Sequence, residues 1–199
     1  MTTRVTIFDY GAGNLHSLAK ALAVPGVDVV VQPDPRAALD TDALILPGVG
    51  AFSPAAERLG DAAGEMRDRI LNGLPTLGIC LGMQLLFDRS DEGPGAGLGV
   101  VPGRVRKLTA ARVPHIGWNT VEMIENRAAP QPPSIAYFAN SYVCEPQETR
   151  MVVAYTTHEQ DRFASMVAVA RAIGVQFHPE KSSAPGLSFV RDFVREVAR

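Results

Sequence analysis

Cys80 lies at the junction of an apolar run with strand character and an apolar run with helical character, within residues 78–84 (GICLGMQ). A glycine stands two positions before it and another two positions after it, which is the nucleophile-elbow pattern with cysteine in place of serine. A side chain at either glycine would clash with neighbouring elements, and a helix N-terminus would favour the thiolate. The backbone N–H of Leu81 would face a developing oxyanion. The alternative is a buried cysteine beside glycines that only help packing.

A thiolate nucleophile requires a base, and His178 is the best placed of the four histidines. It directly follows an apolar, strand-like run in residues 175–180 (VQFHPE). Reactive groups of a doubly wound sheet gather at the carboxyl ends of strands, so His178 and Cys80 can meet despite their wide separation in sequence. Glu180 could accept a hydrogen bond from the imidazole and fix its tautomer. The alternative for His178 alone is a structural histidine.

A glycine-containing turn, residues 46–52 (LPGVGAF), follows the third strand-like run. Backbone N–H groups around Gly48, Val49 and Gly50 could supply a second oxyanion donor, and the alternative is an ordinary strand-to-helix turn. Residues 10–14 (YGAGN) resemble the start of a dinucleotide-binding loop, but the third glycine of that pattern would fall at position 16, which is histidine. We therefore expect no nucleotide cofactor.

These residues need a scaffold, and the first half of the chain alternates short apolar runs with longer amphipathic segments. This order predicts a doubly wound α/β fold with a mostly parallel central sheet and helices on both faces. Asn14 is a candidate N-cap of the first helix. The predicted strands cover residues 5–8, 27–31, 43–46 and 77–79, and the predicted helices cover residues 15–23, 54–72 and 81–87.

The second half consists of strand-like runs joined by turns, which predicts an antiparallel extension of the same sheet. Its predicted strands cover residues 100–108, 118–123, 135–143, 151–157, 163–170 and 173–177, and a closing helix covers residues 188–198. Glycines and a proline make residues 91–99 a predicted exposed loop.

Length and composition favour one domain over residues 1–199. Hydrophobic residues make up 46% of the chain, charged residues 20%, and the net charge is −2. No run of Lys and Arg follows a phosphate backbone, so we expect no nucleic-acid partner. The apolar runs are too short for a signal peptide or a bilayer span, which predicts a cytoplasmic protein with no membrane partner. Cys80 and Cys144 lack the spacing of a metal or redox site, so we expect no metal.

The two blocks at residues 78–84 and 174–180 together resemble the class I glutamine amidotransferases. Residues 10–15, 47–52, 114–119 and 178–182 narrow the resemblance to the glutaminase subunits of imidazole glycerol phosphate synthases, over essentially the whole chain. The resemblance implies hydrolysis of glutamine to glutamate and ammonia without a cofactor. It also implies a heterodimer with a (β/α)₈-barrel cyclase subunit, which uses the ammonia to form imidazole glycerol phosphate and aminoimidazole carboxamide ribonucleotide in histidine biosynthesis.

The resemblance assigns roles position by position. Cys80 matches the nucleophile, His178 the base and Glu180 the residue that orients the base. The oxyanion region matches Gly48 and Leu81. Four further residues fall where the family binds glutamine, namely Gln84, Glu92, Ser141 and Tyr142. The chain departs from the family at Asn140, where members often carry a histidine, and an amide there cannot titrate near neutral pH.

Four residues are candidates for contact with the partner: Asn14, Trp118, Asn119 and Lys181. Trp118 is the only tryptophan and lies in a Gly-Trp-Asn segment, and tryptophan is over-represented among interface anchors. Its alternative is a core aromatic side chain. Lys181 directly follows Glu180, so we expect it at the rim of the catalytic mouth.

Three rival interpretations stay open. A sister glutaminase serving anthranilate, aminodeoxychorismate, guanylate or carbamoyl phosphate synthesis would share both catalytic blocks, but would not be expected to share residues 114–119 or 47–52 in this form. A free-standing thiol hydrolase or peptidase would act without a partner. A non-catalytic binding module would be expected to lack at least one of Cys80, His178 and Glu180, and this chain has all three.

Overall fold

The computed structural model describes residues 2–11, 15–125 and 129–198. In its first part, short strands, most of them buried, are followed by helices or a 3₁₀ turn, in the order that the sequence predicts. The elements are β1 (Thr3–Phe8), α1 (His16–Leu22), β2 (Val27–Gln32), β3 (Ala43–Leu46), α2 (Phe52–Leu59), α3 (Ala63–Leu71), β4 (Thr76–Ile79) and α4 (Leu81–Leu85).

The second part is dominated by strands and closes with a long helix. The elements are β5 (Phe87–Ser90), β6 (Val101–Lys107), β7 (His115–Thr120), β8 (Glu122–Met123), β9 (Ile135–Asn140), β10 (Tyr142–Pro146), β11 (Val152–His158), β12 (Asp161–Val169), β13 (Ala172–Val175) and α5 (Ser183–Val197). Four short 3₁₀ turns within the described residues connect these elements, two of them at Gly60–Ala62 and Pro179–Lys181.

One mixed sheet runs through the molecule in the order β2-β1-β3-β4-β13-β12-β10-β6-β5. Neighbours from β2 to β13 are parallel, and β12, β10 and β6 continue the sheet antiparallel. β11 pairs with β12 and β8 beside this path. The predicted fold class, a mostly parallel sheet with an antiparallel extension, is confirmed.

Apolar side chains fill both faces of the sheet. One core contains Leu46, Phe52 and Met83 with the side chains of α2, α3 and α4. The other contains Phe177 and Phe189 with the side chains of α1 and α5. Both faces of the parallel region are therefore covered by helices, which keeps its strands in place. Among the described residues, no helix combines the length and the apolar character needed to cross a bilayer.

The strand predicted over residues 135–143 is wrong in one respect, because the structure divides it into β9 and β10. β10 belongs to the large sheet, whereas β9 pairs with β7 in a separate two-stranded sheet. Ser141 lies between the two strands. The apolar run continues through this residue, so its composition alone does not indicate the change of sheet.

Three predicted helices also differ from the structure. The helix predicted over residues 54–72 is broken at Gly60, whose φ of 49° lies in the left-handed region that favours glycine. The helix predicted to reach Phe87 ends at Leu85, and Phe87 begins β5, a strand that the sequence analysis did not predict. The closing helix begins at Ser183, five residues earlier than predicted, with Pro185 in its first turn where proline is tolerated. Asn14, the candidate N-cap, lies outside the described residues.

Candidate active site

Cys80 occupies a strained turn between β4 and α4. Its backbone has φ 48° and ψ −102°, and a positive φ is uncommon for a residue with a side chain. The turn is fixed at both ends, because Cys80 N donates to Val175 O at 2.7 Å and Cys80 O accepts from Gln84 N at 3.1 Å. The predicted elbow is therefore present, and it holds the thiol at the carboxyl end of β4.

The spacing of the glycines follows from close backbone contacts. A Cβ added at Gly82 would lie 1.9 Å from Leu46 O, and one added at Gly78 would lie 2.6 Å from Gly82 O. A Cβ at Gly48 would lie 2.7 Å from Ile79 O. A side chain at any of these three positions would displace backbone, as predicted for the two elbow glycines. The elbow and the turn after β3 are packed against each other.

His178 follows β13 and is 2% exposed. Its Nδ1 lies 2.8 Å from Glu180 Oε1, at the start of the 3₁₀ turn Pro179–Lys181. Burial lowers the pKa of His178, but the hydrogen bonds and charges of Cys80 and Glu180 outweigh this effect and raise the pKa to about 10. At neutral pH the imidazole is therefore protonated, between the Cys80 sulfur and the Glu180 carboxylate.

A pocket of about 280 Å³ opens beside these groups. Every residue predicted for the oxyanion region or for glutamine binding contributes to its lining. The lining residues are Gly48, Val49, Gly50, Cys80, Leu81, Gln84, Glu92, Ala139, Asn140, Ser141, Tyr142, His178 and Lys181. Four chain segments, within residues 48–50, 80–92, 139–142 and 178–181, thus meet around the Cys80 thiol.

Hydrogen bonds fix the walls of the pocket. Glu92 Oε2 accepts from Phe52 N at 2.9 Å, which joins the predicted loop 91–99 to the first residue of α2. Gln84 Nε2 donates to Tyr142 O at 3.2 Å, which joins α4 to the start of β10. Asn140 Nδ2 also donates to Tyr142 O, at 3.1 Å, while Asn140 Oδ1 is buried with no hydrogen-bond partner among the described residues. The position where the family often has histidine is therefore inside the pocket wall.

The two cysteines differ sharply in their surroundings. Cys144 lies in β10, and burial followed by the charge of Cys80 raises the pKa of its thiol well above the usual value. The thiol of Cys144 is therefore unreactive, and it does not line the pocket.

Two buried polar side chains near Cys80 were not selected from the sequence. Gln176 is fully buried directly after β13, and its Nε2 lies 3.5 Å from Cys80 Sγ. Tyr10 follows β1, and burial, then the charges of Cys80 and Asp9, raise the pKa of its hydroxyl well above the usual value. In the sequence, the one feature that marks Gln176 is that it is a polar residue within the apolar run 173–177.

The candidate partner residues are not all in one place. Trp118 is 53% exposed on β7 and its ring meets that of Tyr137 on β9 edge to face, with centroids 6.1 Å apart. We call the exposed side of β7–β9, formed by Ile116, Trp118, Ile135 and Tyr137, the outer face. Trp118 is thus not a core aromatic side chain.

Asn119 points to the opposite side of β7, where Nδ2 donates to Thr157 O at 2.9 Å and lies 3.2 Å from His115 Nε2. Lys181 is exposed and lines the pocket, at the rim of the mouth as expected. Asn14 lies outside the described residues. The structure therefore places Trp118 and Lys181 on accessible surface and engages Asn119 internally.

Solved structures resemble this fold at low sequence identity. A structure described as PurLQS from Thermotoga maritima matches the whole of both chains with a TM-score of 0.75 at 19% identity. A glutamine amidotransferase from Thermotoga maritima matches with a TM-score of 0.65 at 17% identity, over 98% of this chain and 84% of the other. At this identity the likeness concerns the fold.

Sequence relatives are closer. The chain is 38% identical over 207 residues to the imidazole glycerol phosphate synthase subunit HisH of Microcystis aeruginosa, covering 99% of this chain and 97% of that protein. It is 40% identical over 209 residues to the subunit of the same name from a Synechococcus species, covering 98% and 95%. The family model for class-I glutamine amidotransferases matches residues 6–197. The chain therefore belongs to the class I glutamine amidotransferases, in the group of imidazole glycerol phosphate synthase HisH subunits.

Proposed function

We propose that this chain hydrolyses glutamine with Cys80 as the nucleophile, His178 as the proton carrier and Glu180 as the residue that orients His178. The observation that carries the proposal is the arrangement of these groups beside one pocket of about 280 Å³, with His178 Nδ1 2.8 Å from Glu180 Oε1. We also propose that residues 1–199 act as one amidotransferase domain.

The chemistry begins with attack of the Cys80 sulfur on the side-chain amide carbon of glutamine, after its proton has passed to His178. The new C–S bond gives a tetrahedral intermediate, whose oxyanion accepts hydrogen bonds from Leu81 N–H and from N–H groups of residues 48–50. His178 then gives its proton to the leaving nitrogen, and ammonia departs. Water attacks the thioester, His178 takes the proton of that water, and glutamate is released as the C–S bond breaks. Glu180 keeps the imidazole in the required orientation throughout.

The other lining residues suit the amino-acid end of the substrate. The Glu92 carboxylate complements an α-ammonium group, while the amide of Gln84 and the segment at Ser141 and Tyr142 offer polar contacts on the opposite wall. We assign these residues to glutamine binding.

The ammonia is delivered to a (β/α)₈-barrel cyclase subunit, which uses it to make imidazole glycerol phosphate and aminoimidazole carboxamide ribonucleotide. Ammonia is largely protonated in neutral water and is then no nucleophile, so release into solvent would waste glutamine. The relatives carry the name of a synthase subunit, which supports a partner that covers the mouth. Lys181 at the rim and the outer face of β7–β9 supply the surface for this partner.

The outer face is joined to His178 by three hydrogen bonds. His178 N donates to Tyr137 O at 2.8 Å, and Tyr137 N donates to Ser182 Oγ at 2.9 Å. Ser182 Oγ in turn donates to His178 O at 2.6 Å. A partner that presses on Tyr137 therefore acts on the strand that holds the backbone of His178, which supports a glutaminase that is stimulated in the complex.

The test uses the complex with the cyclase subunit, with its nucleotide ligand bound. Cys80→Ala should abolish glutamine-dependent synthesis, by a factor of roughly 10⁴ or more, and should leave synthesis from added ammonium salt intact. Cys144→Ala is the matched control and should retain glutamine-dependent synthesis. Labelling of Cys144 instead of Cys80 by a glutamine-like alkylating agent would contradict the assignment. An isolated chain that is fully active on esters or peptides would instead favour a free-standing thiol hydrolase.

A further inference from the structure

Gln176 is a polar side chain in an apolar environment. It follows Val175 at the end of β13, precedes the buried Phe177, and is 0% exposed. Its backbone N–H donates to Ser165 O at 2.9 Å, which extends the pairing of β12 and β13 by one residue. This hydrogen bond fixes the position of the Gln176 backbone. An aliphatic residue would fit the apolar run better, so the amide requires a separate explanation.

The side-chain amide makes one hydrogen bond, and that bond reaches the nucleophile. Gln176 Nε2 donates to Cys80 Sγ at 3.5 Å, whereas Gln176 Oε1 is buried without a hydrogen-bond partner among the described residues. Burying an amide with its acceptor unpaired lowers stability. A group that is retained at this cost, and whose donor points at the reacting atom, is typical of a functional position.

We propose that Gln176 is a positioning residue, which donates its amide N–H to the Cys80 sulfur and thereby holds that sulfur as a thiolate facing the pocket. The proposal deepens the proposed glutamine hydrolysis and rests on Cys80 being its nucleophile. A donor stabilises the anion more than the neutral thiol, because a hydrogen bond to a charged acceptor is the stronger one.

This contact has a consequence for regulation. Gln176, Cys80 and Val175 belong to the buried region of the parallel sheet, away from the exposed outer face. The nucleophile is therefore prepared within the isolated chain. A partner that stimulates hydrolysis therefore acts through other groups of the pocket, such as the backbone of His178, and not through this contact.

The test measures alkylation of Cys80 by iodoacetamide in the isolated, folded chain at pH 7, with each cysteine quantified separately by peptide mass spectrometry. Gln176→Met keeps the length of the side chain and removes its donor. We expect Cys80 in this variant to react about tenfold more slowly.

Gln160→Met is the matched control, because it removes an exposed side-chain amide whose Nε2 donates to Thr109 O at 2.9 Å. It should react like the parent, and the buried Cys144 serves as the slow internal reference in every sample. Equal alkylation rates for Cys80 in Gln176→Met and the parent would overturn the proposal.

A second measurement covers the case in which Gln176→Met does not fold. In chain labelled with ¹⁵N at glutamine side chains, the Gln176 Nε2 resonances should shift on Cys80→Ala and stay in place on Cys144→Ala. Resonances that do not respond to Cys80→Ala would exclude the hydrogen bond. Glutamine-dependent synthesis by the parent complex is measured separately. If the Gln176 contact is disproved, the proposed hydrolysis of glutamine can still stand, and a parent complex that makes no product from glutamine would contradict the proposed function on its own.

Discussion

The candidate catalytic pocket and the inner side of β7–β9 each contain a buried histidine, and their surroundings move the two pKa values in opposite directions. His178 is 2% exposed and His115 is 4% exposed. Burial lowers the pKa of both. At His178, Cys80 and Glu180 reverse the effect and raise the pKa to about 10. At His115, the charge of His158 adds to burial, and the pKa falls to about 4.

The rings around His115 explain its role. Its ring stacks on that of His158 with centroids 4.1 Å apart and on that of Phe138 at 4.9 Å. Its Nε2 is near the amide of Asn119, and its Nδ1 is buried without a hydrogen-bond partner among the described residues. Within the described part of the chain, no carboxylate bonds to this imidazole, so it stays neutral and packs. The two histidines are almost equally buried, so the difference between their pKa values comes from the neighbouring Cys80 and Glu180 at His178 and not from the depth of burial.

The largest effect that would test this distinction is removal of the proton carrier itself. His178→Ala should lower glutamine hydrolysis in the complex by roughly 10⁴-fold, because the proton of Cys80 then loses its carrier to the leaving nitrogen. Glu180→Ala should cost less, since Glu180 orients the imidazole without transferring the proton.

The matched control is His158→Ala, because His158 Nε2 lies 2.8 Å from Arg112 O and the residue does not line the pocket. It should keep hydrolysis within about threefold of the parent. Near-normal turnover in His178→Ala, together with a large loss in His158→Ala, would reverse the assignments of the two regions.

Substitution on the outer face of β7–β9 should change the affinity for the cyclase subunit. Trp118→Ala should weaken binding of the cyclase subunit by about 2 kcal/mol, or roughly 30-fold in Kd, because tryptophan anchors dominate interface energies. Isothermal titration with the isolated subunits measures this directly. Val31→Ala removes an exposed side chain of β2, an edge strand of the large sheet, and should not change Kd. Unchanged binding of Trp118→Ala would remove the outer face from the interface.

Ser182 connects the two regions, and its loss should have an intermediate effect. It occupies the N-cap position of α5, yet its side chain makes no cap hydrogen bond and instead joins Tyr137 N to His178 O. Ser182→Ala should therefore lower kcat for glutamine in the complex by about tenfold, with KM and partner affinity little changed. Steady-state kinetics over a range of glutamine concentrations measure kcat and KM separately.

Ser165→Ala is the control for this prediction, since Ser165 is also buried and its Oγ has no hydrogen-bond partner among the described residues. Its kcat should match that of the parent. A change in KM alone for Ser182→Ala, or equal decreases in kcat for both variants, would show that the hydrogen bonds of Ser182 do not support the catalytic position of His178.

The smallest expected effect is on stability, and its sign differs between the two histidines. His178 binds its proton more tightly in the folded chain, so its contribution is fully present below about pH 6.5 and is lost as pH rises towards 10. His115 binds its proton less tightly when folded, so its contribution is present above about pH 6.5 and is lost as pH falls towards 4.

Urea unfolding of His178→Gln and His115→Gln, each against the parent, checks this sign. The difference in unfolding free energy should narrow with rising pH for His178→Gln and with falling pH for His115→Gln. Parallel pH profiles for the two variants would show that the two sites are not electrostatically opposite.

The parallel part of the fold was largely predictable from the sequence. The strand at Ala43–Leu46 has the bounds that were predicted, because a fully buried parallel strand is continuously apolar and ends at a proline-glycine turn. Cys80 and His178 could be selected because a strand end locates each of them. Elements separated by irregular or left-handed turns, such as α2 and α3 around Gly60, were merged into one.

The antiparallel part was less predictable, because its contacts are long-range. Pairing of β7 with β9 decides that Trp118 faces outward and Asn119 inward, and strand alternation alone does not say which side is exposed. The stacking of His115 on His158 joins residues 43 positions apart and leaves no local pattern. Gln176 could not be recognised either, since its importance depends on the distance to Cys80 in the folded chain.

Trp118 has a practical consequence as the single tryptophan of the chain. Its indole is about half in solvent and contacts the ring of Tyr137, so the tryptophan fluorescence of the protein comes from one known point on the outer face. Docking of another subunit there would exclude water from the indole and move its emission to shorter wavelength. A tryptophan-free version of the cyclase subunit would let this unlabelled signal follow association in a stopped-flow instrument, and ammonia production recorded in parallel would give the order of the two events.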